Sequence, residues 1–258
     1  MHFRNAPWAL LLLAPFILFA FWPGYFGDLR QASFAFHAHG LTASAWLTLV
    51  GLQSVSAQWR DRRWHRLLGR AVFVLVPLFC GAAVLVMHSM ATKFTAGADP
   101  FYAALGARLG LHDLISTTVL VAMVCAALAW RETIAQHAGY LLATVLLVLP
   151  PVVARLPIPR FFHSGELIAI GLAALVVWRA PKSRTPFLVL IGVQALQIVV
   201  FETIGASSPW AQVFSAYSRQ PVLPFAGGAV ILSAAALWLA WTRAPGRATQ
   251  PQRRGSAI

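Results

Sequence analysis

Runs of about 20 apolar residues recur along the whole chain, and each is long enough to cross a hydrocarbon core roughly 30 Å thick. A lipid-exposed backbone must satisfy its own N–H and C=O groups, so each run has to be a helix. The fold class follows: an all-α polytopic membrane bundle. Eight spans can be drawn, near residues 6–26, 33–57, 68–90, 112–130, 138–156, 164–180, 186–205 and 221–242. They make residues 1–242 a single transmembrane helical domain, with no large soluble domain left over. Residues 243–258, RAPGRATQPQRRGSAI, are polar and Arg-rich and read as a disordered cytoplasmic tail. The first run is Pro-interrupted and followed by no A-x-A cleavage site, so it reads as an anchor rather than a signal peptide.

Charge fixes the orientation expected of these spans. Only 10% of residues are charged, yet the net charge is +13. The arginines lie in short loops between apolar runs, which excludes a basic nucleic-acid-binding domain. With both termini cytoplasmic, 14 of the 20 Lys and Arg fall inside, as the positive-inside rule requires. The strong excess of Arg over Lys, with abundant Ala, points to a GC-rich bacterial genome and hence to the bacterial inner (plasma) membrane. The lipid bilayer is then the first partner, and oligomeric state is not readable. Trp8, Trp22, Trp59, Trp64, Trp130, Trp210 and Trp241 lie near span ends, as interfacial anchors do.

Two outside loops carry helical signals. Asp99 before Pro100 reads as an N-cap and first turn, and Phe101, Leu105 and Leu109 recur at helical spacing, which predicts a short interfacial helix. Residues 206–221 predict another. Cys80 and Cys125 lie within spans and belong to no C-x-x-C pair, so they read as small packing residues.

Ionisable residues inside a bilayer are expensive and therefore informative. His37, His39, His88, His112 and His163 fall toward the outer face, with Asp113, Glu166 and Glu202; His65 and His137 fall at the inner face. The spans from 33 to 156 form a His-bearing core with a parallel two-helix repeat. HGLTASAW followed by QWRDRRWHRLLGRA matches HDLISTTV followed by WRETIAQHAGYLLAT, and the His-to-His intervals are 26 and 25 residues. His39 matches His112 in depth, and His65 matches His137. His39, Trp46 and Gln53 are spaced by seven and share one stripe, whereas His37 is rotated about 200° away if the helix already includes it.

The pattern H-x6-W-x6-Q followed by an Arg-rich turn and HRLLG resembles an uncharacterised family of bacterial multi-pass proteins over spans two to five. The histidine arrangement also resembles the transmembrane electron-transfer cytochromes of the cytochrome b561 type. That resemblance implies two b haems held by paired histidines. His39 and His112 correspond to an outer pair, His65 and His137 to an inner one, with a redox partner or quinol exchanging the electrons. Bis-His ligation suits electron transfer because it leaves no open position on the iron.

Two other readings stay open. His37 or His39, with His88, His112, Asp113, His163 and Glu166, offer N and O donors for zinc or iron in an outer-face metal enzyme. No close-spaced signature such as H-E-x-x-H accompanies them. Alternatively, the repeat and the break at Pro150 and Pro151 suit a non-catalytic transporter or membrane assembly partner.

Overall fold

The computed structural model describes residues 3–59, 62–156 and 163–243. The tail beyond residue 243 and the Arg60–Asp61 loop lie outside them. All regular structure among the described residues is helical: α1 (Ala6–Phe21), α2 (Phe34–Gln58), α3 (Arg62–Ala96), α4 (Pro100–Ala129), α5 (Ile134–Leu146), α6 (Leu149–Val153), α7 (Ser164–Arg179), α8 (Arg184–Glu202), α9 (Ser208–Tyr217) and α10 (Val222–Arg243). Each of the eight drafted spans coincides with helix. Five stretches are long and apolar enough to cross a membrane: α3, α4, α5 with α6, α8 with the turn before it, and α10. The others are limited by length or polarity: α1 and α7 have 16 residues each, and α2 carries two His, Thr, Ser and Gln among its 25.

The outward faces are apolar, as lipid contact requires. Trp8, Leu11, Leu12 and Phe16 of α1, Leu196 and Val199 of α8, and Ile231, Leu232 and Trp238 of α10 are all exposed.

At the centre, α2 packs along α3, α3 along α4 and α4 along α5, and α5 closes back on α2. The repeat thus sets α2 and α4 on one diagonal of a four-helix core and α3 and α5 on the other. α10 fills the groove between α3 and α4, while α7 and α8 flank the other side. The α2 stripe points inward: Trp46 and Gln53 are buried. Trp46 Nε1 donates to Thr144 Oγ1 at 3.1 Å, and the Thr144 hydroxyl donates onward to the Leu141 carbonyl. Trp46→Phe keeps the ring but removes this donor in a dry core. It is expected to lower unfolding stability in detergent by about 1–2 kcal/mol, measured by thermal denaturation.

The proline pair breaks span five as its sequence dictates. Proline lacks an N–H and clashes with the carbonyl four residues earlier, and α5 stops at Leu146, four residues before Pro150. A two-residue turn follows, and α6 restarts with Pro150 in its first turn.

The helix expected near 100–109 is not separate. It forms the first turns of α4, with Asp99 Oδ1 accepting from the Phe101 and Tyr102 N–H groups. Nothing after Pro100 interrupts the backbone ladder, so the helix simply continues. At about 1.5 Å per residue, α3 and α4 reach roughly 52 and 45 Å, well beyond a hydrocarbon core. Their projecting ends, here the upper end, are covered by α9 through a second apolar cluster of Val86, Met87, Met90, Ala91, Ala107 and Phe214. Trp210 Nε1 donates to the Ala107 carbonyl at 2.7 Å, and the Tyr217 hydroxyl to that of Val84 at 3.1 Å. Burial pushes the Tyr217 phenol up to about 12, so it remains a donor at neutral pH.

Candidate functional site

Two clusters of ionisable side chains occupy opposite ends of the core. At the lower end, where α2 gives way to α3 and α4 to α5, the two repeat units place their second histidines in matching ways. His65 Nδ1 lies 3.4 Å from Ser56 Oγ, whose own hydrogen goes to the Gln53 carbonyl, so the imidazole donates to the serine oxygen. Gln53 Nε2 also binds the His65 carbonyl at 3.0 Å. In the second unit His137 Nδ1 donates to the Ala127 carbonyl at 2.8 Å. In each unit the ring is fixed by the end of the preceding helix.

These anchors specify the tautomer. With Nδ1 of both rings carrying the hydrogen, each neutral Nε2 is a lone-pair acceptor, and two acceptors cannot hydrogen-bond to one another. Yet the rings meet across the α3–α5 diagonal, with centroids 6.4 Å apart and planes at 71°. A metal bridging two imidazoles needs about 2 Å to each nitrogen and about 1 Å more to each ring centre, roughly 6 Å in all. The lower pair therefore has a ring separation compatible with two imidazoles on one metal, and each ring carries an outer hydrogen bond of the kind that orients metal-binding histidines.

The upper end is arranged differently. His39 lies against Phe79 of α3, centroids 5.1 Å apart, and its Nδ1 is buried without a hydrogen-bond partner. His112, 8% exposed, faces α7: its Nε2 is 3.6 Å from Glu166 Oε1, and its Nδ1 is 3.8 Å from Asp113. No ring contact joins His39 and His112. Glu166 Oε1 is also 3.6 Å from His163 Nδ1, and His163 Nε2 is 2.9 Å from Glu202 Oε1. Arg108 completes the row, its Nη1 donating to Glu202 Oε2 at 2.9 Å. Carboxylate and imidazole thus alternate from half-exposed Glu202 to buried His112.

Local backbone holds this row in place. His163, the N-cap of α7, adopts the left-handed conformation at φ 63°, which costs a non-glycine residue roughly 1–2 kcal/mol. The conformation starts α7 so that His163 and Glu166, three residues apart, share one face. Gln197 of α8 ties the other wall, donating to Ser116 Oγ at 2.7 Å. Glu166→Gln is expected to cost about 1–3 kcal/mol, because it removes the buried carboxylate charge that lies 3.6 Å from both His112 Nε2 and His163 Nδ1. Glu202→Gln, at a half-exposed position, should cost less than about 1 kcal/mol. Thermal unfolding of both variants in detergent measures the contrast.

The remaining proposed metal donors are dispersed. His37 is bound to the Tyr25 hydroxyl at 3.0 Å, on the side away from the Trp46 stripe, and His88 to the Gln220 carbonyl at 3.0 Å. Asp113 stays with His112. Among the described residues, no three His, Cys, Asp or Glu side chains are grouped to hold a metal ion. Glu202 falls with the outer-face groups as its position in the sequence predicts, whereas Arg108 was not expected in the cluster; its signal is only that its charge falls at the same end of its span. Comparison with protein-family models, curated proteins and solved structures returned no match.

Proposed function

We propose that this membrane protein carries electrons and that His65 and His137 would hold one b-type haem. The observation that supports this reading is the lower pair itself: two imidazoles, each anchored through Nδ1, with ring centroids 6.4 Å apart. When bound, such a haem supplies a one-electron carrier without an open coordination position. Ser56 and Ala127 orient the two rings, and the Trp46–Thr144 bond holds α2 against α5 just above them. The reading places all eight helical spans in a bacterial inner membrane with both termini cytoplasmic, as the loop charges require, and therefore the pair at the cytoplasmic face. Electrons are exchanged with a quinol or a protein redox partner. The upper row handles protons, its groups running from half-exposed Glu202 through a 2.9 Å contact to His163 and then across two 3.6 Å separations at Glu166 to buried His112.

The test is the reduced-minus-oxidised absorption spectrum of protein purified from haem-replete cells. A Soret band and a sharp α band are expected. A colourless preparation that gains neither on reconstitution with haem refutes the reading. Bound zinc or iron in that colourless protein points instead to a metal enzyme, and its absence to transport or assembly.

A further inference from the structure

The first turns of α3 carry a charged feature that the histidine pair does not use. Arg63, Arg66 and Arg70 recur at intervals of three and four, so they lie along one side of the helix. With Leu67 between them, they line an open depression of about 370 Å³. All four residues are exposed. Trp64, on the same turns, and Trp59, at the end of α2, are 56% and 80% exposed, as side chains at the level of lipid headgroups are. Arg66 and Arg70 form no ion pair among the described residues, and the acid–base row of Glu166 and Glu202 lies at the opposite end of the bundle. The depression therefore combines guanidinium forks, suited to a phosphate oxygen pair, with an apolar floor at the membrane boundary.

We propose that this depression binds the headgroup phosphate of an anionic phospholipid, with Leu67 and Trp64 against the first part of its acyl chains. Charge complementarity selects the occupant. A zwitterionic lipid brings its own cation to the arginines, whereas phosphatidylglycerol or cardiolipin brings net negative charge. Free phosphate makes the same polar contacts without covering Leu67. The site lies beside His65, on the same helix turns, but its occupancy requires no haem.

Native mass spectrometry of the full chain, released from detergent with phosphatidylglycerol, with phosphatidylcholine or with inorganic phosphate, reads the binding directly. Phosphatidylglycerol adducts are expected to exceed phosphatidylcholine adducts. The double variant R66Q/R70Q should weaken phosphatidylglycerol binding at least about tenfold, each surface arginine contributing on the scale of one such headgroup contact. R219Q, which removes the same charge at an exposed position at the upper end, should leave binding unchanged. Arginine-specific modification of the wild-type protein provides a second measurement that needs no variant. Phosphatidylglycerol should shield Arg66 and Arg70, and phosphatidylcholine should not. Equal retention of the two lipids, undiminished binding by the double variant, absence of shielding, or binding of inorganic phosphate alone would each overturn the proposal.

Discussion

His65→Ala and His137→Ala are each expected to abolish the haem spectrum, whereas His112→Ala should leave it in place. The two lower imidazoles come from different helices, α3 and α5, and among the described residues no other histidine makes a ring contact with either one. If both residues hold the haem, a variant lacking either one would lose the bis-imidazole signature, and with it the sharp α band, even if some haem is retained. His112 already has carboxylates near both ring nitrogens and faces α7. Its removal should change stability and proton exchange rather than colour. The outer hydrogen bonds act more weakly: Ser56→Ala should reduce haem affinity by about 10- to 100-fold, the usual effect of losing an orienting partner. A complete spectrum in His65→Ala contradicts the assignment, and loss of the spectrum in His112→Ala returns the ligand to the upper end.

The second large effect is expected from one methyl group. A Cβ added at Gly165 would lie 2.5 Å from Cα of Pro150, with the Pro150 carbonyl oxygen and carbon only slightly farther away. These are backbone atoms of a helix held by its own proline, so no side chain can rotate to make room. Gly165→Ala must push α7 away from α6, at a cost of about 1–3 kcal/mol for overpacking. Because Glu166 is the next residue, the same displacement widens its gap to His112. A fall in thermal stability accompanied by altered His112 titration, followed by NMR, is the expected result. At Gly110 the atoms nearest an added methyl belong to the ring of Phe214, a side chain rather than backbone, so Gly110→Ala should be milder. Equal effects at the two positions would show that the α6–α7 contact is softer than its geometry indicates.

The helices were legible because lipid leaves the backbone no alternative, and their breaks were legible where proline chemistry is local, as at Leu146 and Pro150. The Asp99 cap was legible for the same reason, but the length of its helix was not, since no residue after Pro100 announces where the water ends. The sequence set His65 level with His137, and their rings meet. Rotation was not legible. A period of 3.6 residues fixes which side chains share a stripe on one helix, as with Trp46 and Gln53, but not which way that stripe faces relative to another helix. For this reason the lower pair meets across its diagonal, while His112 turns outward to α7. The ties of Glu202 to His163 and Arg108 span 39 and 94 residues of sequence, and no local pattern encodes such distances.

Helix α3 runs without interruption from Arg62 to Ala96, past Pro77. Along this one element lie the arginine depression, His65, the Phe79 ring under His39, and the methionines beneath α9. A single rod therefore joins the arginine depression, the lower histidine pair and the α9 cap, so its two ends cannot move independently. Tilting it at the headgroup level changes the reach of His65 across its diagonal and, at the far end, the seating of the α9 cap.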